Sequence, residues 1–247
     1  MPQCKKRSIA GGIIMELSLE LRRMLVDLGA SLIGFADLRQ LSSNCRKGME
    51  YGISIGIGLN PLIITGIENG PTYEYFEEYK RVNNLLDTLA LKAGNFLENA
   101  GHKAIFRTAT EVVADSTYST DLPHKTVATR AGLGWIGKCA LLVTPEFGSA
   151  VRITTVLTDA HLEVGVPINE ARCGNCNQCV ISCPGNASSG ENWSISKHRD
   201  EFFNASECRK TARQKAARIG IDSTICGKCI EVCPWTKKYV KSSNKVI

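Results

Sequence analysis

The sequence predicts an α+β fold in two parts. A sandwich-like α/β domain is expected over residues 15–165 and a two-cluster ferredoxin-like domain over 166–247, after a disordered extension at 1–14. Three observations carry this expectation. Eight of the eleven cysteines lie after residue 166, in two tight runs and one single position. Before it, helix-spaced and strand-like apolar segments follow one another without an internal repeat. The hydrophobic content of 43% is ample for a core.

The elements follow in chain order. Residues 1–14, MPQCKKRSIAGGII, carry basic residues and a brief apolar run but no hydrophobic region or cleavage site of a secretory signal, and the natural start is expected at Met15. Leu17, Leu21, Met24, Leu25 and Leu28 recur at three- and four-residue spacing, an amphipathic helix ending at Gly29. SLIGFADL and ISIGIGL read as strands. The uncharged stretch Tyr51 to Ile67 has nearly the length of a membrane span, but Asn60-Pro61 and its glycines make it a buried strand and a turn. A long helix after Gly70-Pro71 places Tyr75, Tyr79, Val82, Leu86 and Leu89 on one stripe. KAIFRT at 103–108 is a strand and His124 to Ala131 a helix. ALLVT and VRITTVLTD are two strands expected to form a hairpin across Pro145 to Gly148.

The cysteines carry the chemistry. CGNCNQCVISCP, with Cys173, Cys176, Cys179 and Cys183, is C-x2-C-x2-C-x3-C-P, the spacing in which three thiolates hold one 4Fe-4S cubane and the fourth reaches another. CGKCIEVCP supplies Cys226, Cys229 and Cys233, but the position of its first thiolate is Ser223, and Cys208 is expected to replace it. The ligand sets are then Cys173, Cys176, Cys179 and Cys233 for one cluster, and Cys208, Cys226, Cys229 and Cys183 for the other. Structural zinc also uses paired C-x2-C knuckles, but it leaves unexplained a third thiolate at x2 and the two Cys-Pro dipeptides. Cys4, Cys45 and Cys139 read as ordinary thiols. Clusters require a reducing compartment, so the protein is expected to be cytoplasmic and without disulfides.

The formal charge of +6 lies wholly in the cysteine-rich part, where 13 Lys and Arg face 7 Asp and Glu, against 17 and 17 before residue 166. Two oxidised clusters, each with about two negative charges, offset most of that excess. Arg209, Lys210, Arg213, Lys215 and Arg218, with Lys237, Lys238, Lys241 and Lys245, form either a face toward a polyanion or a solvated helix face and tail.

RAGLGWIGK, Arg130 to Lys138, places three glycines within six residues around Trp135, which suits either close backbone approach to a ligand or a tight helix-to-strand turn. With the hairpin ending in LTD, both cysteine runs and CPW at Cys233 to Trp235, this block makes the chain from about residue 15 to 236 resemble the epoxyqueuosine reductase family, cobalamin-dependent iron-sulfur enzymes related to the reductive dehalogenases. The resemblance implies a base-off cobalamin between the two parts, with His124, Lys125, Arg130, Gly132, Gly134, Trp135, Gly137 and Lys138 binding it. It implies electrons from reduced ferredoxin or flavodoxin, removal of an epoxide oxygen from a tRNA-borne ring, and a protein acid that supplies a proton. A ferredoxin-like electron carrier without cobalamin is the alternative.

The chain departs from that family in two places. The helical repeats that follow the clusters in that family and help hold tRNA are not expected here, and tRNA stands as an expectation from the resemblance alone. The family's acid is an Asp twelve residues before the Arg of the glycine block, where this chain has Tyr118. Asp115 lies fifteen before and Asp121 nine before. Tyr118, in register, and Asp115, in a similar local sequence, are the candidate acids. The dehalogenases use a Tyr in this role, and Lys125, His124 and Arg130 are the cations expected beside it.

Overall fold

The computed structural model describes residues 3–107 and 118–243. Helix α1 (Gln3–Asp27) takes in residues 3–14, where a disordered extension was expected; no proline interrupts that run, and helical backbone continues N-terminal of Met15. Strands β1 (Leu32–Asp37) and β2 (Tyr51–Gly58) follow, then the short α2 (Pro61–Thr65), which Asn60 caps by accepting from the Leu62 N–H. The expected turn after β2 is thus one turn of helix with proline at its first position. Helix α3 (Tyr73–Asn99) starts at Thr72, whose side chain accepts from the Tyr75 N–H, and leads into β3 (Ala104–Arg107). Then come α4 (His124–Arg130), β4 (Trp135–Ile136), β5 (Leu142–Val143) and β6 (Val151–Thr158).

The main sheet has the order β1-β2-β6-β3 and is antiparallel throughout, with Phe35 opposite Ile53, Ile53 opposite Val156 and Ile105 opposite Leu157. Strand alternation divides its two faces. Ile53, Ile55 and Ile57 pack with Leu21 and Leu25 of α1 and with Val82, Leu86 and Leu89 of α3. Leu86 is 0% exposed, so truncating it to Ala costs about 2–5 kcal/mol. On the other face α4 lies close over small residues: a Cβ on Gly52 would stand 2.8 Å from a Val127 methyl and 2.9 Å from Leu38. Helices on both faces give the sandwich expected from the sequence.

The expected hairpin between ALLVT and VRITTVLTD does not form. β5 pairs with β4, through Trp135 opposite Val143 and Ile136 opposite Leu142, while β6 enters the main sheet between β2 and β3. The eight residues of β6 match β2 along its whole length, so the longer ladder takes that strand. The turn between them is closed by mutual Thr144 and Gly148 backbone hydrogen bonds of 2.9 Å.

The cysteine-rich part holds α5 (Gln178–Ile181), α6 (Arg199–Phe202), α7 (Ala205–Ala217), α8 (Lys228–Glu231) and α9 (Pro234–Ser243). It does not stand apart. Ala216, Ile221, Ile225 and Ile230 belong to the same buried cluster as the α1 and α3 core, and the Tyr239 hydroxyl donates to the Leu59 carbonyl at 2.9 Å. Among the described residues no helix is long and apolar enough to cross a membrane.

Candidate metal centre

The two cysteine runs fold alike. The first run puts Cys173 and Cys176 in a loop and Cys179 on the one-turn helix α5, the second puts Cys226 in a loop and Cys229 on the one-turn helix α8, and these two helices pack together. Each run ends in Cys-Pro, where proline fixes the chain direction after the last thiol and, at Pro234, starts α9. Cys208 comes from α7 and lies near Cys183 and Cys226, the grouping expected for the second ligand set. Burial, followed by those two thiols, pushes Cys208 up to about 11. Cys173 and Cys233, first and last of the other set, pack against one apolar cluster around Trp135, Trp193 and Phe202.

Cys139 is not the ordinary thiol the sequence suggested. It is buried, and its thiol lies beside those of Cys179 and Cys229, one from each expected set. The neighbouring Cys139 thiol, then burial, pushes Cys179 well up. Cys139 is itself raised: the neighbouring Cys179 thiol lowers it, but Cys229 and burial together outweigh that. Nothing in the sequence marked it: its neighbourhood is set by the β4-β5 ribbon, which the spacing did not reveal. Closely packed thiols of this kind resist ionisation unless a cation compensates them, and several irons fit that need. The donor set therefore suits iron-sulfur clusters.

The glycine block joins the two parts. Arg130 donates to the Ile168 carbonyl at 2.7 Å and to Asn169 Oδ1 at 2.6 Å; Lys138 donates to Asn177 Oδ1 at 2.8 Å; and the Ser188 hydroxyl donates to the Lys138 carbonyl at 2.6 Å. Burial lowers the Arg130 guanidinium from its ordinary range. A Cβ on Gly132 would meet the Val166 carbonyl oxygen at 2.5 Å, one on Gly134 would run into the Val143 carbonyl, and one on Gly137 would stand 2.9 Å from a Val143 methyl. Trp135 is 0% exposed, so it offers no open wall. Lys125 donates to the Ala140 carbonyl at 2.8 Å, and His124 opens α4. The tight-turn reading of these glycines fits better than direct approach to a ligand, because backbone at Gly132 and Gly134 and the Val143 side chain at Gly137 already fill the space they leave.

Of the candidate acids, Asp115 lies outside the described residues. Tyr118 is 43% exposed, with a left-handed φ of +60°, a strained backbone for an aromatic residue. Its cations differ from those expected. The Arg209 guanidinium lies 4.9 Å from its ring centroid and Arg199 donates to its carbonyl at 2.8 Å, whereas Lys125 and Arg130 are bonded elsewhere.

Strand β2 carries a further feature. On the α4 face of the sheet β2 presents Gly52, Ser54, Gly56 and Gly58 between its isoleucines, an alternation visible in GISIGIG. The Ser54 hydroxyl and that of Thr155 opposite it are buried without a partner among the described residues. The atoms nearest to a Cβ on Gly56 would be those of its sheet neighbours, Leu32 at 3.2 Å and Val151 and Ile153 at 3.4 Å. This is a small-residue cradle with two orphan hydroxyls, covered at Gly52 by Val127 and Leu38 and at Gly58 by Phe147, and the hydroxyls between them suit a polar group of a bound molecule.

The fold and the grouped thiols define a class: a two-cluster iron-sulfur protein built onto an α+β sheet domain. Residues 172–236 match the 4Fe-4S double cluster binding domain. The chain resembles epoxyqueuosine reductases. It is 30% identical over 173 residues to that of Synechococcus sp. (strain RCC307), covering 69% of this chain and 49% of that protein. With that of Synechococcus sp. (strain CC9605) it shares 34% over 128 residues, 51% of this chain and 39% of that protein. The chain thus spans less than half the length of either. Among solved structures, an epoxyqueuosine reductase with a modified tRNA stem loop superposes with a TM-score of 0.62 at 20% identity, covering 90% of this chain and 66% of that one. A reductive dehalogenase gives 0.66 at 16%, covering 92% and 33%. These likenesses establish the fold.

Proposed function

We propose that the protein is a cobalamin- and 4Fe-4S-dependent reductase of the epoxyqueuosine reductase type, in which low-potential electrons enter through the two clusters. The observation that supports this most is the core shared by the cysteine-rich part and a sheet that carries two buried hydroxyls without partners among the described residues, because a plain electron carrier has no need of them. Cobalamin, when bound, supplies a strong reductant and nucleophile. The Ser54 and Thr155 hydroxyls and the bare backbone at Gly56 would hold it, and Arg130, Gly132, Gly134 and Lys138 act indirectly, by fixing the cluster-bearing part against the sheet domain. His124, Lys125, Trp135 and Gly137 are likewise read as supporting the junction.

Tyr118 is the acid of choice, held by Arg199 and overlain by Arg209, with Asp115 as its competitor. Arg209, which lies over Tyr118, and the likewise exposed Lys210 and Arg213 on α7 suit a polyanionic substrate such as tRNA. Reduced ferredoxin or flavodoxin is the proposed donor and the cytoplasm the proposed location. Residues 15–165 and 166–247 remain the working division of the chain, with Cys173, Cys176, Cys179 and Cys233 on one cluster and Cys208, Cys226, Cys229 and Cys183 on the other.

The second reading, a ferredoxin-like carrier without cobalamin, is favoured by one observation: every residue of the glycine block that was expected to face a ring is committed inside the protein. Equilibrium dialysis separates the two. If the cradle holds cobalamin, Gly56→Val weakens binding at least tenfold with iron content unchanged, and equal binding by both proteins removes the cradle from the account.

A further inference from the structure

We propose that the indole N–H of Trp135 donates a hydrogen bond to a sulfur of the cluster held by Cys173, Cys176, Cys179 and Cys233, and so raises that cluster's reduction potential. The inference rests on the two-cluster reading and goes beyond it, since it assigns a potential-setting role to a residue outside the cysteine runs.

The starting point is an unpaired donor. Trp135 is 0% exposed, and its Nε1 has no hydrogen-bond partner among the described residues. An indole nitrogen only donates, and a buried donor left unmet costs about 1–3 kcal/mol, so buried tryptophans almost always find an acceptor. The groups around the ring cannot serve. Arg172 places its guanidinium 5.7 Å from the ring centroid, and Trp235 packs edge-on with centroids 5.1 Å apart at 74°. Both are donors without acceptors in their side chains.

The same two neighbours say where the acceptor is. Arg172 immediately precedes Cys173, and Trp235 follows Cys233 by two residues, so the indole is bracketed by the flanks of the first and last thiols of one ligand set. Both thiols pack against the apolar cluster that contains Trp135. Two residues along, a Cβ on Gly137 would stand 3.7 Å from the Cys173 sulfur, which shows how near the backbone of this segment comes to that thiol. The sulfurs of a cluster at these cysteines are the acceptors the N–H lacks. One-electron reduction adds negative charge to those sulfurs and breaks no bond, so a donor aimed at them favours the reduced state and raises the potential.

The test uses the full chain, loaded anaerobically and free of cobalamin, with iron counted first. Trp135→Phe keeps an aromatic ring and removes the N–H. The expected result is about eight irons, as in the parent protein, and in a dithionite titration followed by electron paramagnetic resonance a potential lowered for one cluster only. The fall expected is at least tenfold in the one-electron reduction constant, about 59 mV, while the cluster containing Cys208 stays unmoved. Eight irons with both potentials unchanged overturns the inference. A parent protein that never exceeds four irons overturns the two-cluster reading instead. Should Trp135→Phe fail to load, parent protein with isotopically labelled indole nitrogen must show a nitrogen coupling to the reduced cluster, and its absence overturns the inference equally.

Discussion

Two residues in this chain are placed against the usual preferences of their types, and each gives a test. Tyr118 adopts φ +60° with Arg209 over its ring. If it delivers the proton, Tyr118→Phe lowers single-turnover rate on the order of a hundredfold or more with cofactor content intact. Asp115→Asn is the comparison, and a loss confined to that variant assigns the acid to Asp115. Lys125 is the second residue: burial, with Arg199 adding to it and Cys139 opposing, lowers its ammonium to about 8. Below pH 8 folded and unfolded chains both bind that proton and the burial penalty is fully present. Between pH 8 and the ordinary lysine range near about 10.4 the unfolded chain alone keeps it, so stability rises with pH. Anaerobic thermal unfolding of Lys125→Met should lack that rise. The cysteines give a third test. Cys208→Ser should lose one cluster and spare most of the other, whereas Cys139→Ala should keep all eight irons, because eight other thiols fill both sets. Loss of iron in Cys139→Ala would make Cys139 a ligand.

At the scale of elements, the β4-β5 ribbon decides how the two parts meet. Gly134→Ala drives a methyl into the Val143 carbonyl, so it should destabilise the protein by at least roughly 1–3 kcal/mol and impair cluster loading and cobalamin binding together. Loss of cobalamin binding alone, with an unchanged melting midpoint, would mean that the glycine faces the ligand after all. The same ribbon marks where sequence reading stopped. β1, β2, α3, β3 and α4 were legible because each carries its own period or punctuation: isoleucines every second residue in β2, a long apolar stripe in α3, proline before α4. The pairing of β5 was not, since two residues hold no period, and proximity in sequence to β6 suggested a hairpin that the longer β2-β6 ladder outcompeted. The grouping of Cys208 with Cys183 and Cys226 was legible from the missing thiol at Ser223. The meeting of Cys139 with Cys179 and Cys229 was not, because it depends on where that ribbon folds.

At the scale of the molecule, the thiol sets share one core with the sheet domain, and the basic α7 lies beside Tyr118. This continuity makes the cluster-bearing part a fixed feature of the sheet domain's neighbourhood, which suits delivery of electrons to a group held on the sheet. It also means that variants at the junction, such as Arg130→Ala, should lower both stability and iron retention, by leaving the Ile168 carbonyl and Asn169 unpaired. The central claim is that a protein with two clusters also binds cobalamin. Its most direct measurement is equilibrium binding of cobalamin to anaerobically loaded protein with about eight irons per chain, read by cobalt content and by electron paramagnetic resonance of the reduced cofactor. The account predicts one cobalamin per chain with no axial nitrogen signal. Full iron with no retained cobalamin would contradict it and leave the electron carrier as the function.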